Sequence, residues 1–155
     1  LRAISLRKLS LKQTYRHDLE SFFYVLIVGC MSYGLEKLPE LLKTWSSDSH
    51  TCFLSKEAAI TKNFETMIID GFLPSFESTK ELARTLHEIL FGDEQVEYGS
   101  PEDPNVLYDP IIEAFKKTLE KLEAYVQDKK ENDCIRQDQG AGLKGKRKVQ
   151  QLSEA

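Results

Sequence analysis

Thr14-Tyr15-Arg16-His17-Asp18-Leu19-Glu20-Ser21-Phe22-Phe23-Tyr24-Val25-Leu26 carries a charged, cappable start straight into an apolar segment. Asp18 is of a residue type that caps helix N-termini, and Ser21 then falls at the third helical position. From Phe22 to Met31 almost no polar face remains, so a helix here must be buried. The spacing predicts that helix from about Asp18 to Tyr33, with Gly34 as its terminator.

Outward from this segment the periodicity stays helical. Leu38, Leu41, Leu42 and Trp45 recur at three- and four-residue intervals, which predicts a second helix over Leu38 to Trp45 with Trp45 as a packing anchor. Ser46 to His50 reads as a loop, and a third helix is expected from Ser55 to about Ile69, with Ala59, Ile60, Phe64, Met67 and Ile68 inward. Asp70-Gly71 and Pro74 break it. A fourth helix is expected over Ser75 to Phe91, carrying Phe76, Leu82, Leu86, Ile89 and Leu90, with Gly92 as a stop.

Residues 93–107 read as an exposed acidic loop. Asp109 as N-cap and Pro110 at the first helical position then predict a last helix to about Glu131, striped by Ile111, Ile112, Phe115, Leu119, Leu122 and Val126. Beyond Asn132 the stripe ends. Gly140 onward is Gly-rich and basic, and is expected to be disordered. No strand pattern is present, so the fold class is all-α.

A chain of 155 residues, 41% hydrophobic, is long enough for one domain with its own core. Its net charge of −4 argues against a general nucleic-acid surface, apart from Lys144-Gly145-Lys146-Arg147-Lys148, which reads equally as a solvated tail or a contact for an anionic partner or nuclear import. Cys30, Cys52 and Cys134 have no zinc-site spacing, and three separated thiols fit a reducing, intracellular compartment, cytoplasmic or nuclear. Phe22 to Met31 is about half of the roughly 20 apolar residues that a membrane crossing needs, so no membrane span is expected. Because the sequence starts at Leu1, a fragment or an incomplete gene product is expected.

The Tyr15-Arg16-His17-Asp18-Leu19-Glu20-Ser21-Phe22-Phe23-Tyr24-Val25-Leu26 run resembles the signature of the fungal-type protein kinase family at the start of its central F helix. Trp45, the run Ala58 to Phe64, and Tyr108-Asp109-Pro110-Ile111-Ile112-Glu113-Ala114-Phe115 look like later landmarks of that family in order. The resemblance covers roughly Ala3 to Tyr125. It implies a partial kinase-like domain over residues 1–131, a carboxy-terminal lobe bundled around the buried F helix, followed by a basic tail over 132–155. It also implies structural roles for Tyr15, Arg16, His17, Asp18, Glu20 and Ser21, with Asp18 accepting hydrogen bonds from the backbone of a catalytic loop. Phe22, Phe23, Trp45 and Phe115 are expected as core anchors.

Full-length relatives are implied to use ATP and magnesium to phosphorylate Ser or Thr. This sequence has no Gly-rich loop, no strand Lys in a Val-Ala-Ile-Lys context, no His-Arg-Asp and no Asp-Phe-Gly, the parts that hold phosphates, place metal and orient the attacking hydroxyl. No catalytic, cofactor-binding or metal residue is therefore expected. Ala3-Ile4-Ser5 aligns with the end of an activation segment, and Ser5 stands where a kinase has its pairing Glu.

The residues themselves favour plain structural roles. Asp18 next to His17 has no nucleophile spaced to complete a catalytic set. His50 and His87 have no ligand neighbours at useful spacing. Aromatic residues on an apolar helix are far more often core than ligand cage. The expectation is an inactive kinase-lobe portion that requires the missing amino-terminal part and offers surface to a protein substrate or partner; the alternative is a helical interaction module or a pseudokinase remnant.

Overall fold

In the computed structural model, the described residues are 14–92 and 100–150, with side chains described as far as Lys129. They form helices and no strand. In chain order these are α1 (Tyr15–Ser32), α2 (Glu40–Trp45), α3 (Ser49–Thr61), a π-helical turn (Phe64–Ile69), a 3-10 turn (Pro74–Thr79), α4 (Lys80–Phe91) and α5 (Asn105–Gln150). The expected segments lying in 1–13 and 93–99, including the Ser5 alignment, fall outside the described residues.

Two compact units divide the chain, Leu1–Thr118 and Leu119–Ala155. The first holds the core. α1 contributes Phe23, Tyr24, Ile27, Cys30 and Met31; α2 adds Leu42 and Trp45; α3 adds Ala59 and Ile60. Ile68, Ile69 and Phe72 follow, then Leu82, Ala83, Leu86 and Leu90 from α4 and Ile111 from α5. Each large side chain in this set contributes roughly 1.5–3 kcal/mol by leaving water. In the second unit, Leu119, Leu122, Glu123, Val126 and Gln127 line an open hollow of about 380 Å³ along one helix.

Several boundaries depart from the sequence expectation. The N-cap of α1 is Thr14, not Asp18, because His17 at the third helical position accepts the Thr14 backbone N–H through Nδ1 (2.9 Å). Gly34 does adopt the left-handed conformation after α1, with φ +76°. The second helix begins at Glu40, leaving Leu38 exposed. The expected Ser55–Ile69 helix is two pieces. α3 starts early because the Asp48 carboxylate accepts the backbone N–H groups of His50 and Thr51 (2.9 and 3.1 Å), and the chain passes into the π turn after Asn63. The fourth expected helix likewise divides at Thr79 into a 3-10 turn and α4.

α5 starts at Asn105, where Asp103 accepts the Asn105 N–H at 2.9 Å, so Pro110 lies inside the helix and not at its first position. It continues past Glu131 to Gln150.

Candidate functional site

The first two turns of α1 send side chains to two opposite sides, inward and outward. Arg16, His17 and Glu20 are buried, at 4%, 3% and 1% exposure, while Asp18 is exposed. The inward group is tied to its surroundings by named bonds. Arg16 Nη2 donates to the Leu90 carbonyl (2.7 Å), one of the orphan carbonyls in the last turn of α4, and Arg16 Nε lies 3.6 Å from Glu20 Oε1. Tyr15 donates its hydroxyl to the Pro101 carbonyl (2.7 Å) and stacks on Tyr108 at 5.8 Å; the Thr14 hydroxyl meets that of Ser100. Ser21 Oγ donates back to the His17 carbonyl (2.8 Å).

Deeper in the same unit sits Lys56, 1% exposed, a charged residue that no periodicity marks as inward. Its Nζ lies 4.3 Å from the centroid of the Tyr24 ring and 5.6 Å from that of Trp45, and those rings meet edge to face at 5.4 Å. Burial pushes the Lys56 ammonium below its ordinary range, opposed by the negative ends of Cys52 and Glu20. Burial likewise pushes the Tyr24 phenol well up. The Tyr24 hydroxyl and the Trp45 indole N–H have no hydrogen-bond partner among the described residues. A lysine held by two aromatic faces and a carboxylate has the chemical inventory of a proton-transfer site. Its burial keeps substrate away, so its work is packing and charge compensation.

The outward side is different in kind. Asp18, Phe22, Val25 and Gly29 follow one another at four- and three-residue steps along one face, all exposed, with Phe22 at 52% and Val25 at 58%. Phe22 is thus not the buried core anchor expected of it, and α1 is not buried all round. The reason is that nothing described covers this face beyond Phe115, which is half-buried and tilts against Phe22 at 5.9 Å. A Cβ added at Gly29 would meet nothing within 4 Å. Phe23 and Trp45 are buried.

Among the described residues no group of three or more His, Cys, Asp or Glu could hold a metal ion, and no helix is long and apolar enough to cross a membrane. His50 is exposed on α3. His87 stacks on Phe64 at 3.9 Å, and its Nε2–H donates to the Ile60 carbonyl (2.8 Å), a structural bond between α3 and α4. Comparison with protein-family models, with curated proteins and with solved structures finds no match in any of the three.

Proposed function

We propose that this chain is the carboxy-terminal lobe portion of a fungal-type protein kinase, beginning at its F helix, and that it acts as scaffold and not as catalyst. What supports the reading is the outward strip of α1. A helix with Phe23, Tyr24, Ile27, Cys30 and Met31 packed on one side shows Phe22 and Val25 to solvent on the other. Apolar side chains in a row on the face of a central helix are a surface for another element. Asp18 stands at the amino-terminal end of that row, where its carboxylate could accept backbone N–H groups of a catalytic loop supplied from outside the sequence. Gly29 fits the same role. Glycine weakens a helix interior, and its open side on this face admits a close backbone approach.

On this reading ATP, magnesium and the protein substrate belong to the complete kinase. The purified chain incubated with magnesium-ATP and a general protein substrate is expected to give neither phosphorylation nor saturable ATP binding; observing phosphorylation or saturable binding sinks the inactive-scaffold reading. The sequence upstream of Leu1 tests the family itself. An in-frame His-Arg-Asp followed by Asp-Phe-Gly supports it, and stop codons support a remnant.

The second reading is a helical module that binds a protein partner, and the stripe of Leu119, Leu122 and Val126 on α5 favours it. Sedimentation and thermal melting separate the two. A cooperative, stable monomer favours the module, whereas aggregation or a molten state favours a lobe that lacks its other half.

A further inference from the structure

We propose that α5 pairs antiparallel with α5 of a second copy of this chain. The proposal rests on the reading of a helical interaction module and names its partner. Along α5, Ile112, Phe115, Leu119, Leu122 and Val126 follow one another at alternating three- and four-residue steps. That repeat puts them on one narrow seam, with the spacing of a two-stranded coiled coil. Ile112, Leu119 and Val126 are 47%, 57% and 48% exposed, while Phe115 and Leu122 are half-buried.

The charges that flank the seam say what covers it. Directly after Phe115 comes Lys116, and directly after Leu122 comes Glu123, both exposed. These are the flanking positions whose charges set partner and direction in a coiled coil. They differ in sign and stand one heptad apart. An identical helix running the other way therefore brings Lys116 against Glu123 of the second copy, and Glu123 against Lys116 of the second copy. The seam closes in that same register. Leu119 meets Leu122 of the second copy and Phe115 meets Val126 of the second copy, large against small, each contact made twice by the two-fold symmetry. A parallel pair in register instead faces Lys116 with Ile111 and Glu123 with Thr118, so neither charge is answered. Charge complementarity thus selects a second, antiparallel copy of this helix. The apolar overlap is short, so the association is weak, with a Kd on the order of 10–100 μM.

The test is sedimentation of the full chain from ~5 to ~500 μM, with charge reversals on α5. The wild-type chain is expected to pass from monomer to dimer over this range. Lys116→Glu and Glu123→Lys alone each turn two attractive pairs into two repulsive ones and should each raise the dimer Kd about tenfold. The double reversal, and an equimolar mixture of the two single variants, should return it to within about threefold of wild type. Net charge moves in opposite directions in the two single variants, so weakening in both reports the local pairs and not overall repulsion. Far-ultraviolet circular dichroism checks that the variants, all at exposed positions, keep their helix. A chain that stays monomeric at ~500 μM, or one whose association the double reversal fails to restore, overturns the proposal. A cooperative monomer would leave the module reading standing with a different partner, and the kinase reading is decided separately by the upstream sequence.

Discussion

Removing the Arg16 guanidinium strands two groups at once, the Leu90 carbonyl at the end of α4 and the Glu20 carboxylate one turn along α1. Both are buried, and breaking a buried ion pair from one side costs about 3–5 kcal/mol. Lys56 also stands near Glu20 and retains part of the compensation, so Arg16→Ala is expected at the lower end, about 3 kcal/mol in chemical denaturation. Arg16→Lys keeps the charge but loses the planar fork and should fall between the two. A loss below about 0.5 kcal/mol, the scale of an ordinary surface substitution, would show that the pair does not hold α1 to α4.

At the element scale, the helices are joined through their C-terminal carbonyls. The Cys30 carbonyl near the end of α1 accepts the Leu73 N–H (3.0 Å), the Ile60 carbonyl near the end of α3 accepts His87, and the Leu90 carbonyl near the end of α4 accepts Arg16. Each bond satisfies an orphan carbonyl with a donor from another element, so helix ends and tertiary contacts form together. Glu65 and Arg84 add an exposed two-point bridge between the π turn and α4 (2.9 and 2.8 Å), worth under about 1 kcal/mol. Glycine within α1 predicts a separable effect. Gly29→Ala should raise the stability of the chain by about 0.5–1 kcal/mol, because the new methyl meets nothing. If a backbone docks there, the same substitution should weaken that association, measured as a higher Kd for the partner. Asp48→Ala, which removes the acceptor for two α3 amides, should lower helix content and melting temperature, while Asp48→Asn retains most of both.

These element-scale results show why some of the fold was legible and some was not. Three- and four-residue spacing located Ile60, Leu82, Leu86 and Leu90 because one apolar stripe faces one core. It failed at Phe22 because a run apolar on all sides does not say which side is covered. Thr14 escaped because its partner at the third helical position is a His, not the usual Glu or Gln. The start of α5 escaped because Asp103, not Asp109, accepts the first free amide. Lys56 was invisible because its burial is compensated by Tyr24 and Glu20, more than thirty residues away in sequence, a long-range fact that no local pattern carries.

For the molecule as a whole, the perturbed groups set how stability depends on pH. On the acid side, hydrogen bonds from the Thr51 side chain and the Thr51 and His50 amides hold the Asp48 carboxyl at about 2, below its ordinary 3.8, and the Arg84 hydrogen bond lowers Glu65. Both contribute stability that is complete above the unfolded carboxyl values and is lost as pH falls, through about 2 in the case of Asp48. On the alkaline side two groups act in sequence. Lys56 is lowered from 10.5, so between its folded and unfolded values the unfolded chain holds more protons and stability rises with pH. Tyr24 is raised from 10.0, so above that value the unfolded chain loses protons that the folded one keeps, and stability falls. Melting temperatures measured from pH 2 to 11 should therefore climb out of acid, rise gently toward about 10, and drop beyond it. Lys56→Met should remove the gentle rise without net destabilisation, since it replaces a buried charge with an apolar chain of similar length. Tyr24→Phe should remove the alkaline drop at little cost, because its hydroxyl has no described partner. A Lys56→Met variant that keeps the wild-type alkaline rise would show that Lys56 is not its source and that burial does not lower the ammonium in this core.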